Sequence, residues 1–329
     1  MKRVLIIALV HGVAVTWGQS GGNKSFQFLN VPAHARLAAL GGVNASLADE
    51  DVNFVFNNPA LISDTLAGYA SAGYLFYLAD IGQATFSYAH DFSKAGAVTF
   101  GIRHINYGEV AGYDAAGMET GMFKSGETEI LIGKSHQVGV FRLGASIKGV
   151  FSNLAGFRGT ALLTDVGGIF IHPQKQLVVG MVFRNLGFIL NEFSETSNSD
   201  LPFDIQIGAT SKPEHMPVRF SITLFNLTNL GKAYRDQSLV TEFFRHLNVG
   251  AELLIHKNVN VLIGYNGLRQ QELQVQSGSG MRGFTVGFLV RVKQFECALS
   301  RATYSVGNAA YAFTLNVNTK SMLMKRKEL

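Results

Sequence analysis

The chain has 329 residues and a formal net charge of +5; 47% of it is hydrophobic and 16% charged, where an average protein carries about 25% charged residues. Basic residues are scattered apart from Lys325-Arg326-Lys327, with no aromatic-basic stripe, so nucleic acid is excluded as a partner. Something other than water must face much of the surface, yet beyond the N-terminus no stretch supplies the roughly 20 mainly apolar residues of a membrane helix.

Residues 1–18 read as a secretory signal peptide. Lys2 and Arg3 precede an apolar run over 4–15, interrupted by His11, and Gly18 is the expected last residue before cleavage. No cysteine stands near that point to carry a lipid. The single cysteine, Cys297, cannot form an internal disulfide and reads as a small apolar side chain facing lipid.

Residues 19–66 show no strand alternation. Ala33, Ala35, Leu37, Ala38, Ala39 and Leu40 form a helix-like run stopped by Gly41-Gly42. Asn58 can cap a second helical start with Pro59 at its first position. Asp49-Glu50-Asp51 lies just before it. The segment is expected on the periplasmic side of the first strand as a plug, its carboxylates paired with arginines of a barrel lumen. The recurrence of Leu, Phe and Val argues against a disordered arm.

Residues 67–319 hold fourteen candidate strands. In strand eight, Phe203, Ile205, Ile207 and Ala209 alternate with Asp204, Gln206, Gly208 and Thr210. Phe220 and Ile222 in strand nine, Phe284, Val286 and Phe288 in strand twelve, and Tyr311 and Phe313 in strand fourteen alternate likewise with small or polar residues. Side chains change face at each strand residue. The second face is rich in Gly, Ala, Ser and Thr with isolated charges at Arg103, Arg142, Lys148, Arg184 and Glu252, which suits a crowded polar lumen rather than the charged outer face of a soluble sandwich.

The connections also point to a barrel. Those near Ser93-Lys94, His136-Gln137, 172–175, 212–215, Lys257-Asn258 and Lys293-Gln294 are short. The alternate set includes long loops over 108–124, 187–202, 228–245 and 267–280. Outer-membrane barrels pair short periplasmic turns with longer outside loops. The expectation is an all-β, 14-stranded antiparallel transmembrane barrel with a short N-terminal lumenal plug, and with residues 320–329 as a periplasmic tail.

The N-terminal segment also carries a family resemblance. Phe28-Leu29-Asn30-Val31-Pro32, Ala35-Arg36, Leu40-Gly41-Gly42, Asp49-Glu50-Asp51, Asn57-Asn58-Pro59-Ala60-Leu61 and Tyr77-Leu78-Ala79-Asp80-Ile81 together resemble the PorQ family of the type IX secretion system of Bacteroidota. The shorter theme of Ala-Arg, paired glycines and Asn-Pro-Ala is shared with PorV and, more loosely, with FadL-type transporters. The resemblance implies an outer-membrane scaffold that tethers a PorZ-like surface protein beside a PorU-like sortase and a PorV-like barrel, among outer-membrane lipids and lipopolysaccharide. Its residues are structural: Pro32, Ala35, Arg36, Gly41, Gly42, Asp49, Asp51, Asn58, Pro59 and Ala60. Phe188, Phe193, Arg235, Phe243 and Phe244 are the expected partner-binding loop residues, because exposed aromatics with arginine are typical of binding hot spots. A FadL-like transporter of hydrophobic small molecules and a PorV-like cargo shuttle are the alternatives.

Catalytic motifs are lacking. Lys124-Ser125-Gly126 matches the third motif of penicillin-binding enzymes in part, but no serine stands three residues before a lysine. The nine histidines form no H-E-x-x-H. Gly278-Ser279-Gly280 lacks the Lys-Ser/Thr ending of a phosphate loop. Neither enzyme activity nor a cofactor is expected.

Overall fold

A computed structural model describes residues 24–92, 96–114, 116–231, 239–272, 282–305 and 308–320. Fourteen strands, β1 (Tyr69–Phe76), β2 (Gly82–Phe92), β3 (Gly96–Tyr113), β4 (Glu119–Val138), β5 (Phe141–Leu154), β6 (Phe157–Ile171), β7 (Leu177–Asn191), β8 (Asp204–Ser211), β9 (Val218–Leu224), β10 (Leu247–His256), β11 (Val259–Asn266), β12 (Phe284–Val292), β13 (Phe295–Ser305) and β14 (Asn308–Asn318), pair antiparallel in sequence order. β14 closes on β1 through the register Tyr69↔Asn318 to Phe76↔Tyr311. Closure removes the free edges that a sheet cannot leave unpaired in lipid.

The strand faces follow the sequence pattern with burial turned outward. In β8 the apolar Ile207 and Ala209 are exposed while Asp204, Gln206, Gly208 and Thr210 are buried. In β12 Phe284, Val286, Phe288 and Val290 lie outside, and Thr285 and Gly287 inside. An exposed belt of Phe, Ile and Val would be strongly unfavourable in water but fits hydrocarbon. All five charges expected in the lumen, Arg103, Arg142, Lys148, Arg184 and Glu252, are buried.

The barrel has two unlike ends. Turns 139–140, 257–258 and 293–294 are two residues each, and 172–176 and 212–217 are only slightly longer. At the other end, connections 192–203, 225–246 and 267–283 are long, and they include the helices α2 (Leu239–Arg245) and α3 (Gly267–Glu272). One expected loop is corrected: 108–124 is almost all strand. β3 and β4 continue as a hairpin, because Gly108↔Ser125 to Tyr113↔Glu119 remain paired, and only 114–118 turn. Likewise 187–202 begins as strand, since β7 runs to Asn191.

Residues 24–68 pass through the lumen from the loop end to the turn end. Ser25 N–H donates to the Asp200 carbonyl, in the loop after β7, at 2.9 Å. At the far end the Gly68 carbonyl accepts from Thr319 N–H at 2.8 Å, and β1 begins. The segment's start is therefore at the loop end, not on the turn side where the sequence places it. The apolar core is the space between this plug and the inner wall: Leu37, Leu40, Phe54 and Leu61 pack with Ile169, Leu262 and Leu289 of the strands.

Candidate functional site

The site that the resemblance residues build is the seat of the plug. Helix α1 (Ala35–Ala39) is short, so its orphan terminal groups need outside partners. The Ala35 N–H donates to Thr314 Oγ1 at 2.9 Å. At the other end the chain turns through Gly41 and Gly42, at φ 93° and 92°, a left-handed geometry that glycine adopts without strain. The Gly42 N–H closes back on the Leu37 carbonyl at 2.9 Å. The freed carbonyls are taken by the wall. Thr285 Oγ1 donates to Ala39 O at 2.6 Å, Asn248 Nδ2 to Leu40 O at 2.8 Å and Asn266 Nδ2 to Gly41 O at 2.8 Å.

The second half of the plug is capped as its sequence indicates. The Asp51 carboxylate accepts from Asn53 N–H at 3.0 Å. Asn58 Oδ1 accepts from Ala60 N–H at 3.0 Å with Pro59 at the first position, and Asn58 Nδ2 donates to Ala45 O at 2.8 Å. The Pro32 carbonyl accepts from Gln83 Nε2 at 2.9 Å. Glycines of the wall bring the two backbones together. A Cβ at Gly264 would meet Gly41 N and the Leu40 carbonyl carbon, and one at Gly144 would meet Pro59 and Ala60.

Charge pairing runs partly opposite to expectation. The plug supplies a cation to a wall carboxylate: Arg36 Nε donates to Glu252 Oε1 at 2.7 Å, and Arg36 Nη2 to Glu252 Oε2 at 3.0 Å. Asp49 accepts from Arg36 at 2.6 Å and from the wall residue Arg219 at 2.7 Å. Burial opposes charge on Arg36, but Glu252 and Asp49 outweigh it and hold the guanidinium firmly protonated. Burial likewise opposes ionisation of Asp49, yet Arg36 and Arg219 hold its carboxyl well below the usual range.

The other carboxylates behave differently. Asp51 makes no ion pair with an arginine among the described residues and is raised by burial, against the opposing pull of Arg36; Glu50 accepts from Tyr69 Oη at 3.0 Å. The wall arginines bind plug carbonyls instead. Arg103 Nη1 donates to Val31 O at 2.9 Å, and Arg184 Nη2 to Leu29 O at 3.1 Å and Phe56 O at 3.2 Å. Arg103 is neutralised by Glu129 at 2.8 Å, and Lys148 by Asp165 at 2.7 Å. Glu252 was legible in the sequence as a lumenal charge but not as the partner of Arg36; the acids that sequence reasoning missed are Glu129 and Asp165, buried on the same lumenal face and paired with Arg103 and Lys148.

The expected partner-binding residues divide. Phe188, Phe243 and Phe244 are exposed. Phe193 is half-buried against Phe26, with ring centroids 5.6 Å apart, and serves to fold its loop onto the plug. Arg235 lies outside the described residues. Helices α2 and α3 are tied together by Arg245 and Glu272 at 2.7 Å. At the turn end a cavity of about 650 Å³ opens between plug and wall, lined by Asp49, Arg219, Asn260, Arg291 and Glu296 among others. No cluster of His, Cys, Asp and Glu that could hold a metal ion occurs among the described residues.

No family model matches the chain, and no curated relative is found by sequence. Solved structures share its fold. The TodX deltaS2S3 mutant monoaromatic hydrocarbon channel is 12% identical and superposes with a TM-score of 0.51 over 86% of this chain and 96% of its own. A FadL homologue of Pseudomonas aeruginosa is 8% identical, with a TM-score of 0.48 over 87% of this chain and 98% of its own. The TodX likeness shows the fold: this chain is a closed, antiparallel, 14-stranded β-barrel of the kind found in outer-membrane channels.

Proposed function

We propose that the protein is a non-enzymatic outer-membrane platform, with its lumen held shut by its own N-terminal segment, that retains a soluble partner at the cell surface. The observation that carries this reading is the course of the plug. It runs the length of the lumen and is bonded to the wall by Thr314, Thr285, Asn248, Asn266, Arg103, Arg184 and Glu252. An element fixed at so many points suits a closed support better than a conduit. The lipid-compatible belt and the signal-like N-terminus support an outer-membrane location, with its lipids and lipopolysaccharide around the barrel. The PorQ resemblance supplies the partner class: a PorZ-like surface protein, with a PorU-like sortase and a PorV-like barrel in the same attachment complex. Phe188, Phe243 and Phe244 are exposed on the loop side, where such a partner would dock.

A second reading, uptake of hydrophobic small molecules, is favoured by the fold likeness to a monoaromatic hydrocarbon channel. The charged lining of the turn-end cavity opposes it, because an apolar solute gains nothing from carboxylates and guanidiniums. A strain lacking the protein separates the two. The platform reading predicts a PorZ-like protein released into the medium with labelled fatty-acid uptake unchanged; lost uptake with full surface retention would replace it.

A further inference from the structure

β3 and β4 are the longest strands of the barrel, 18 and 20 residues, whereas about 9–11 residues cross a bilayer. Their ends leave the wall. β2 pairs with β3 only as far as Gly82↔Asn106, and β5 pairs with β4 only as far as Gly126↔Asn153. Among the described residues, 107–113 and 119–125 pair only with each other. Six to seven residues at about 3.3 Å each carry this ribbon roughly 20 Å past the wall.

The root and tip of this ribbon are fixed. Tyr107 Oη donates to Glu127, and Ala155 N–H to Ser125 Oγ at 3.0 Å. At the tip Asp114 Oδ1 accepts from Ala116 and Met118 N–H at 2.9 and 2.8 Å. Between them the ribbon is largely open among the described residues. Tyr113, Met118 and Met122 are 65%, 68% and 56% exposed. A two-stranded ribbon with both edges open is marginal alone, and its unpaired N–H and C=O groups template another strand. Lys or Pro commonly blunts such an edge. The β3 edge, Tyr107-Gly108-Glu109-Val110-Ala111-Gly112-Tyr113, has neither; its register shifts only between Asn106 and Gly108 and between Gly112 and Tyr113, so Gly108–Gly112 stays in regular pairing and offers a straight edge rich in small residues.

We infer that the free edge of this hairpin, residues 107–113 of β3, is a docking edge that a β-strand of a basic protein partner extends by backbone pairing. The partner's sign follows from the ribbon: Glu109, Asp114 and Glu119 stand against Lys124 alone. The same charge disfavours a second copy of this chain. The inference rests on the platform reading and adds a backbone contact to the one its loop aromatics make.

The test places a photo-crosslinking amino acid at position 111 and, in a separate strain, at position 243, in the full-length protein in intact cells. The expected result is an adduct from position 111 to a soluble surface protein, mapped by mass spectrometry to a strand edge bearing Lys or Arg. Replacing 108–124 with Asn-Gly should then release that same protein into the medium while a heat-modifiable barrel persists. The double variant Glu109→Lys, Glu119→Lys keeps the ribbon whole, and loss of retention is expected there too, so a folding failure of the shortened barrel does not decide the matter. An adduct from 243 only, with retention unaffected by the double variant, overturns the hairpin and leaves the platform standing. Adducts between copies of this chain overturn the basic partner. No surface-protein adduct from either position overturns the platform reading itself.

Discussion

Arg36 of the plug and Glu252 of β10 meet inside the barrel as a two-point pair, at 2.7 and 3.0 Å, each about 1% exposed. Breaking a buried pair outright costs about 3–5 kcal/mol; removal of Glu252 leaves Arg36 with Asp49 as its one bonded carboxylate, at 2.6 Å, so the loss should fall below that range. Glu252→Ala should therefore loosen the plug, seen as faster proteolysis within 24–66 of the purified barrel and a lower unfolding midpoint. Glu50→Ala, at an exposed site near the same cavity, should do neither; equal sensitivity of both variants would show that the pair does not seat the plug.

A second prediction concerns close approach. Gly264→Ala places a methyl group against the backbone of Leu40 and Gly41, and overpacking of this kind typically costs about 1–3 kcal/mol. Gly149→Ala meets only the Phe151 ring, at 3.5 Å, and should be neutral. Susceptibility of the plug to protease in the two variants, side by side, checks this.

The strand faces give a third. Phe288, in the middle of β12, is exposed, and arginine on a lipid face near the midplane costs about 2–4 kcal/mol. Phe288→Arg should lower the yield of heat-modifiable barrel. Asn260→Arg turns toward the turn-end cavity and should be tolerated. Thr285, although inward, is no control, since its hydroxyl is bonded to the Ala39 carbonyl.

His34 gives a pH dependence. It lies in the plug, outside the strands, edge-on to Phe54 at 4.9 Å, and burial first and Arg36 second lower its pKa from 6.5 to about 3. Between those values the unfolded chain binds a proton that the folded chain refuses, so this group's contribution to stability is full above 6.5 and is lost as pH falls. Asp51, 3.6 Å away and raised by burial, works in the opposite sense. The comparison is therefore between wild type and His34→Leu: the fall in unfolding midpoint from pH 7 to pH 4 should be smaller in the variant. An identical fall would remove His34 from the account.

The strands were legible because a period-two pattern survives exchange of water for lipid; only the meaning of the faces changes. Ile207 and Phe288 read as apolar, and the low charge of the whole chain told which solvent they meet. The caps at Asn58 and the Gly41-Gly42 stop were legible because they are local. The direction of the plug was not, since nothing local distinguishes a segment that descends through the lumen from one that waits below it. Arg36→Glu252 pairing was hidden by 216 residues of separation. The β3–β4 ribbon read as loop because Gly108, Gly112, Gly117 and Gly121 interrupt its alternation, while Gly108↔Ser125 and Gly112↔Gly121 pair across it.

The platform claim is tested most directly by affinity capture of the tagged, full-length barrel from gently solubilised outer membranes, with a PorZ-like protein quantified in the eluate. Stoichiometric recovery is expected with the wild type and reduced recovery with Phe243→Ala, Phe244→Ala, while both barrels remain heat-modifiable. Absence of the partner from the wild-type eluate, together with saturable binding of a labelled fatty acid to the same purified barrel, would contradict it.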